Sequence, residues 1–402
     1  MSENSNNTPK GSIAIEIITL LKSNISQYFM FIALVVIMVF FAFTTNGVFI
    51  SSRNISNLIN QMGYIAVLAV GMTLVIVIRH IDLSVGYLAG FLGAFAAIAL
   101  SFWKFPVWAV IPAVLILGVV SGIVTALPIA KLRVPAFVAT MAAGLIYRGL
   151  LLRTTMGTGT IIIPDKSFNA IGNGYIPDIP DFGFLDNNHK ITLILGAIGI
   201  VLFIISSINN RKKKRSYNFA VPSFPLFILQ LILVSVIIGY ISWVLSGYNG
   251  ISWSLVIVLL VVAIFTFITT KTPLGRHIFA VGGNPEAAEL SGISVSQITF
   301  IVFGAMGLLS ALSGILYASR LQSATTTAGL GFETDAIAAA FVGGVSAAGG
   351  VGSIAGSIVG ALVMMSLTNG MNLMGIDISV QYIVRGAVLV LAVIVDLATR
   401  KK

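Results

Sequence analysis

The chain has 402 residues, of which 57% are hydrophobic and only 9% charged. A soluble domain carries roughly a quarter charged residues to cover its surface, so a soluble globular protein is excluded. The formal net charge of +10 is spread between apolar runs and not gathered on one face. It reports topology and argues against a nucleic-acid partner. Cysteine is absent, which removes disulfides, thiolate metal sites and cysteine nucleophiles.

The chain opens with a polar arm over residues 1–27 carrying Lys10 and Lys22. The apolar run Tyr28–Phe43 is longer than a signal-peptide core and ends in Phe and Met instead of small residues, so it reads as a retained span. Crossing hydrocarbon takes about 20 apolar residues in a helix. Segments of that kind fall near 28–45, 58–78, 85–103, 107–130, 135–152 and 190–208. They continue near 224–245, 253–269, 297–318, 333–345, 353–374 and 378–397. The segment at 333–345 is too short to span alone, ends in Gly343-Gly344 and precedes Gly349-Gly350 and Gly352. It reads as a half-helix or re-entrant segment, which survives at membrane depth only where protein or a cavity satisfies its backbone. The expected fold is all-α: one polytopic transmembrane bundle over 28–397 with ten to twelve membrane segments.

Lys and Arg set the orientation. Lys131, Arg133, the run Arg211–Arg215, Lys271, Arg276 and the tail at 398–402 all fall on one side of the alternating spans. Arg53, Lys104, Arg153, Lys166, Lys190 and Arg320 are scattered on the other. That asymmetry predicts a cell-membrane protein with both termini cytoplasmic. Residues 153–189, with Pro164, Pro177 and Pro180, form the longest external loop. Its composition suits either reception of something from outside or an ordinary solvated connector.

Polar residues inside or beside the spans are few. Asp82 and Ser84 read as a helix cap or as a wall of a solute path. Arg148 and Arg385 lie within spans and read as interfacial anchors or as partners of an acid such as Asp377. Glu333 and Asp335 begin a helix, where the dipole favours acids. Glycines four apart, Gly86 with Gly90 and Gly352 with Gly356 and Gly360, read as close helix packing.

No G-x-x-x-x-G-K-[ST] loop occurs, and the stretch Gly343–Gly360 has no lysine, so the chain is expected neither to hydrolyse ATP nor to be an enzyme. His80, His189 and His277 have no ligand-spaced partners, and no Gly-x-Ser-x-Gly elbow is present. No metal or cofactor is expected. The stretch 270–296 differs from the other connectors. Asn284 can cap a short helix with Pro285 at its first position, Glu286 in its first turn and Gly292 as its stop. So short a helix is not stable alone. Its small residues Ala287 and Ala288 suit docking onto a partner, against the plainer reading of a connector.

That stretch, Gly275-Arg276-His277-Ile278-Phe279-Ala280-Val281-Gly282-Gly283-Asn284-Pro285-Glu286-Ala287-Ala288-Glu289-Leu290-Ser291-Gly292-Ile293, resembles the cytoplasmic coupling segment of permeases from ribose, xylose and multiple-monosaccharide ABC importers. Ile81-Asp82-Leu83-Ser84-Val85-Gly86 resembles their I-D-L-S-V-G signature. Val134-Pro135-Ala136-Phe137-Val138-Ala139-Thr140 resembles their V-P-x-F-x-x-T stretch. Phe341-Val342-Gly343-Gly344-Val345-Ser346-Ala347-Ala348-Gly349-Gly350-Val351-Gly352-Ser353 resembles their G-G-x-S-x-x-G-G-x-G segment. The likeness runs over roughly residues 50–397 and is nearest the xylose and multiple-monosaccharide branch. Arg79-His80 departs from it, since many relatives carry smaller residues there.

The resemblance implies import of a monosaccharide, xylose or a related sugar, driven by ATP bound on a partner. The implied partners are cytoplasmic ABC ATPase subunits, an extracytoplasmic sugar-binding protein and a second copy of the permease. Coupling would then fall to Gly283, Asn284, Pro285, Glu286, Ala287, Ala288, Ser291 and Gly292. A neutral sugar needs hydrogen bonds and no countercharge, which nominates Asn57, Asn60, Gln61, Thr140, Thr368, Asn369 and Asn372, with Asp82, Ser84 and Ser346, for its path. The alternative is a stand-alone ion-coupled transporter, which would need membrane-embedded acids or histidines as relays. Those are sparse here.

Overall fold

The computed structural model describes residues 25–180, 188–219, 221 and 223–400. The arm before residue 25 and Lys401-Lys402 lie outside them. Among the described residues, nine helices are long and apolar enough to cross a membrane, and the architecture is a polytopic helical bundle. In chain order the helices begin with α1 Ile25–Thr44, α2 Ser52–Val77, α3 Val85–Ser101, α4 Val107–Leu132, α5 Ala136–Thr155 and the short α6 Lys166–Asn173. There follow α7 Lys190–Ser216, α8 Phe224–Ser246, α9 Trp253–Lys271, α10 Pro273–Gly283 and α11 Pro285–Leu290. The last four are α12 Val295–Leu321, α13 Phe332–Val342, α14 Ile354–Leu373 and α15 Ile378–Arg400. Each of the twelve hydropathy segments thus falls on a helix of its own, and α6, α10 and α11 are additional to them.

Helix starts follow from local chemistry. Ser252, Ser294 and Ser353 each accept a hydrogen bond from a first-turn amide of α9, α12 and α14, satisfying one of the donors a helix leaves open. Polar cap residues between apolar runs are therefore punctuation. The basic run Arg211–Arg215 proves to be the helical end of α7, not a loop. Cations at a helix C-terminus meet the negative end of its dipole, so charge there prolongs the helix beyond its apolar part.

Burial separates centre from rim. In the apolar window of α2, 83% of residues are buried, against 6% for α15. The centre is α2, α12 and α14 with α3 and α13 packed among them, and the outward faces of α4, α5, α7, α8 and α15 carry large exposed apolar side chains. Those faces suit hydrocarbon, which has no hydrophobic penalty to impose on them. Central packing depends on backbone approach. A β-carbon at Gly307 of α12 would overlap the Gly118 carbonyl oxygen of α4, and one at Gly122 would overlap the Phe303 carbonyl. The glycine pairs read from sequence behave likewise: Gly86 and Gly90 face the backbone of Gly329 and Ala328, and Gly356 and Gly360 face Gly343 and Ala339.

The short segment runs on through the bundle and does not turn back. A two-stranded antiparallel pair, β1 Thr160–Ile162 with β2 Ser323–Thr325, lies at the C-terminal end of α3, where Ser101 donates to the Ile162 carbonyl at 2.7 Å. From β2 the chain descends without helix along α3 to Gly90 and Gly86. There α13 begins, and its 11 residues cover about 16 Å. The loop after it reaches the far end, where the Gly350 amide donates to the Val77 carbonyl at 2.9 Å. Non-helical backbone is tolerated at that depth because protein surrounds it.

One sequence pairing is corrected. Arg385 of α15 pairs with Asp335 of α13 at 3.2 Å, not with Asp377, which accepts from the Ser379 amide at 2.8 Å at the start of α15. Asp335, buried across the helix interface, is the acid within reach. Arg148 is exposed and lies over the Tyr87 ring at 5.5 Å.

Candidate functional site

Two features stand at opposite ends of α12, whose 27 residues separate them by about 40 Å. At its start lies the pair α10–α11. Thr272 caps α10 and Pro273 takes its first position. Asn284 then ends α10 and caps α11, accepting from the Ala287 amide at 3.1 Å. Pro285 follows, Glu286 sits in the first turn, and Ser291 closes the helix by donating to the Ala287 carbonyl at 2.8 Å. Gly292 adopts a positive φ of 83°, the stop its residue type allows. Ala288 is the buried contact of α11, whereas Leu290 is 91% exposed. A leucine held out on a two-turn helix offers apolar surface to something outside the chain.

This pair is tied to the membrane core through Arg79. Its Nε donates to the Gly282 carbonyl at 2.7 Å and its Nη2 to the Gly283 carbonyl. Both carbonyls end α10, where the helix has no amides left to satisfy them. Gly282 is wedged against the Val77 carbonyl at the end of α2 and against Gly350 of the loop following α13. A displacement of α10 therefore reaches α2 and α13 through hydrogen bonds and backbone contact. The sequence reading had no account of Arg79, nor of α10 as a helix of its own, although Thr272-Pro273 is a legible start signal.

At the other end is a polar cavity of about 390 Å³. Asn57 and Asn60 of α2, Tyr175 after α6, Tyr248 and Asn249 after α8, and Arg320 of α12 line it. Its wall is built by α6 laid over the end of α12. The Ser319 hydroxyl donates to the Phe168 carbonyl and accepts from the Gly172 amide, both at 2.7 Å. Asn173 donates to the Ser319 carbonyl at 2.8 Å. The loop after α5 thus contributes a wall, and sequence reasoning missed Tyr175, Tyr248, Asn249 and Arg320 because nothing in their local pattern marks them.

The residues nominated for a solute path are distributed as follows. Asn60 lines the cavity, and its Nδ2 donates to the Tyr175 hydroxyl at 3.3 Å. Gln61 accepts from Asn369 at 3.4 Å, and Asn369 accepts from Asn54 at 2.8 Å, a buried network joining α2 to α14. Asn372 accepts from Gln381 at 2.8 Å. Thr368 bonds back to the Met364 carbonyl at 3.1 Å within α14. Asp82, in the loop between α2 and α3, accepts from the Ser84 amide at 2.8 Å and hydroxyl at 2.6 Å. Burial pushes its carboxyl up from the ordinary value to about 6, while the two Ser84 bonds pull it down. Thr140 donates to the Ile81 carbonyl at 3.2 Å, so these three form one knot beside the start of α3. Ser346 accepts from the Ala348 amide at 3.0 Å within the turn that faces Val77.

A bundle of lipid-length helices, with a short capped helix at one end and a polar cavity at the other, is the layout of a membrane transport protein. The chain belongs to the family described as "Branched-chain amino acid transport system / permease component", whose model matches residues 54–393. It is 39% identical over 379 residues to the xylose transport system permease protein XylH of Haemophilus influenzae, covering 94% of this chain and 98% of that one. To XylH of Escherichia coli it is 38% identical, covering 94% and 93%. To the ribose import permease protein RbsC of Haemophilus influenzae it is 34% identical, covering 92% and 94%. No solved structure matches significantly.

Proposed function

We propose that the chain is the membrane permease of an ATP-driven importer of xylose or a related monosaccharide. In this reading α10 and α11 project into the cytoplasm and dock on a separate ATPase. The observation that carries it is α11: capped at both ends, anchored to the bundle by the buried Ala288, and presenting Leu290 at 91% exposure. The chain has no phosphate loop of its own, so in this reading the energy of ATP enters through such a contact. The basic residues Lys131, Arg133, Lys271 and Arg276 share the side of α11 and support its cytoplasmic placement. The described terminal helices α1 and α15 are then oriented with both chain ends on that side. A second permease copy and an extracytoplasmic sugar-binding protein complete the assembly.

Leu290→Asp tests the docking. Because Leu290 is 91% exposed, the variant should fold as the wild type. Losing a buried leucine at the interface removes about 1.5–3 kcal/mol, so ATPase co-purification should fall tenfold or more. Undiminished co-purification would refute the assignment. Arg79→Ala tests transmission. The ATPase should still bind and hydrolyse ATP, but sugar moved per ATP should fall roughly tenfold, since charge-assisted bonds of this kind contribute about 1.5–3 kcal/mol each. Uptake that persists after ATP depletion with the proton gradient held would instead support an ion-coupled transporter.

A further inference from the structure

We propose that the cavity between α2, α12 and the loops after α6 and α8 is itself a weak binding site for one neutral monosaccharide of pentose size. The inference rests on the reading of the chain as a sugar permease, and adds a holding site within the permease. The argument begins with Asn60. Its side chain is 4% exposed, and its Nδ2 is occupied by the Tyr175 hydroxyl. Its Oδ1 is buried with no hydrogen-bond partner. A buried acceptor left unpaired costs about 1–3 kcal/mol, and a turn of the Asn60 amide toward the cavity it lines would let a bound donor remove that cost. A sugar hydroxyl is such a donor.

The rest of the lining fits the same ligand. Asn57 and Asn249 add amides, each of which both donates and accepts, as a hydroxyl does. Arg320 adds only donors. The rings of Tyr175 and Tyr248 meet edge to face at 6.1 Å and offer aromatic surface to the C–H face of a sugar ring. A volume of about 390 Å³ lies at the lower end of small-molecule pockets, roughly 300–1,000 Å³. It holds one monosaccharide and excludes an oligosaccharide.

The charges decide against other small solutes. No carboxylate lines the cavity, so the ammonium group of an amino acid would enter without a counter-ion. Arg320 is the single cation in the lining, fewer than a phosphate ester needs for tight recognition. The walls are fixed in advance. Gly172 lies against the Arg320 backbone so closely that a β-carbon there would sit 2.6 Å from the Arg320 nitrogen. The Ile176 amide donates to the Ile251 carbonyl at 2.9 Å, and that of Trp253 to the Gly174 carbonyl at 3.1 Å, joining two of the loops. Little ordering is therefore required on binding, yet the contacts are few, so affinity should be on the order of millimolar.

The test uses the full-length chain in lipid nanodiscs, without ATPase or binding protein, and saturation-transfer NMR with D-xylose, D-ribose, L-leucine and methyl phosphate. Pentose signals with millimolar affinity are expected, and none from leucine. Asn60→Ala should weaken pentose binding at least tenfold. Asn249→Ala, at an exposed loop position that leaves the core untouched, should weaken it severalfold. The site is overturned by pentose binding equal to wild type in both variants, by binding of methyl phosphate alone, or by no pentose signal at high millimolar sugar. ATP-driven pentose uptake by the assembled importer separates the two readings. Uptake with no binding to the isolated chain sinks the site and leaves the permease reading standing. No uptake of any sugar sinks the permease reading and the site with it.

Discussion

Gly307→Leu should leave almost no correctly folded protein. Helices α4 and α12 meet at a close approach, and Gly118, Gly122 and Gly307 have no side chains so that the backbones can touch. At Gly307 a β-carbon would meet the Gly118 carbonyl oxygen and the Gly122 backbone, not a side chain that could rotate away. Overpacking a core ordinarily costs about 1–3 kcal/mol. Here two helix axes must separate, and the cost should exceed that range. The check is the yield of monodisperse protein in mild detergent and the midpoint of its thermal unfolding. Ile116→Leu, on a face of α4 that is 63% exposed at that residue, should leave both unchanged. A Gly307→Leu protein as stable as wild type would refute this account of the α4–α12 contact.

Arg385→Ala should destabilise the bundle by about 3–5 kcal/mol, the usual result of leaving one member of a buried ion pair behind. Asp335 sits in the first turn of α13, where the chain changes from extended to helical within the bundle. Arg385 approaches both of its carboxylate oxygens, at 3.4 Å and 3.2 Å. Helix α15 touches the same segment again beyond its other end, where Asp396 accepts from the Ala347 amide at 3.3 Å. Loss of Arg385 thus strands a carboxylate and loosens α15 from α13 together. The double variant Asp335→Ala/Arg385→Ala should regain most of the loss, because no charge remains unpaired. Thermal unfolding of the two single variants and the double variant measures the coupling. Additive losses would show that the pair does not act as a pair.

The helices were legible because a spanning segment must satisfy its own backbone and show apolar side chains to lipid. Both requirements are local, and both are written in consecutive residues. The cap of α11 was legible for the same reason: Asn284, Pro285, Glu286 and Gly292 interact within one short stretch. The half-length of α13 showed in the chain too, as a short apolar run bounded by glycines.

Polar side chains in the interior obey no such local rule. Asn60 and Gln61 are neighbours, yet one opens onto a cavity and the other meets Asn369, 308 positions away. Arg385 finds its acid 50 positions back, and Arg79 reaches Gly282 across 203 positions. The cavity itself takes residues from α2, α12 and two loops that hydropathy treats as connectors. The sequence by itself determined which stretches are built to cross a membrane and where α11 starts and stops, because lipid and helix geometry act on each segment separately. Only the tertiary structure decided which polar groups pair and which stay open to a ligand, because a hydrogen bond depends on distance in space, and packing, not sequence, sets that distance.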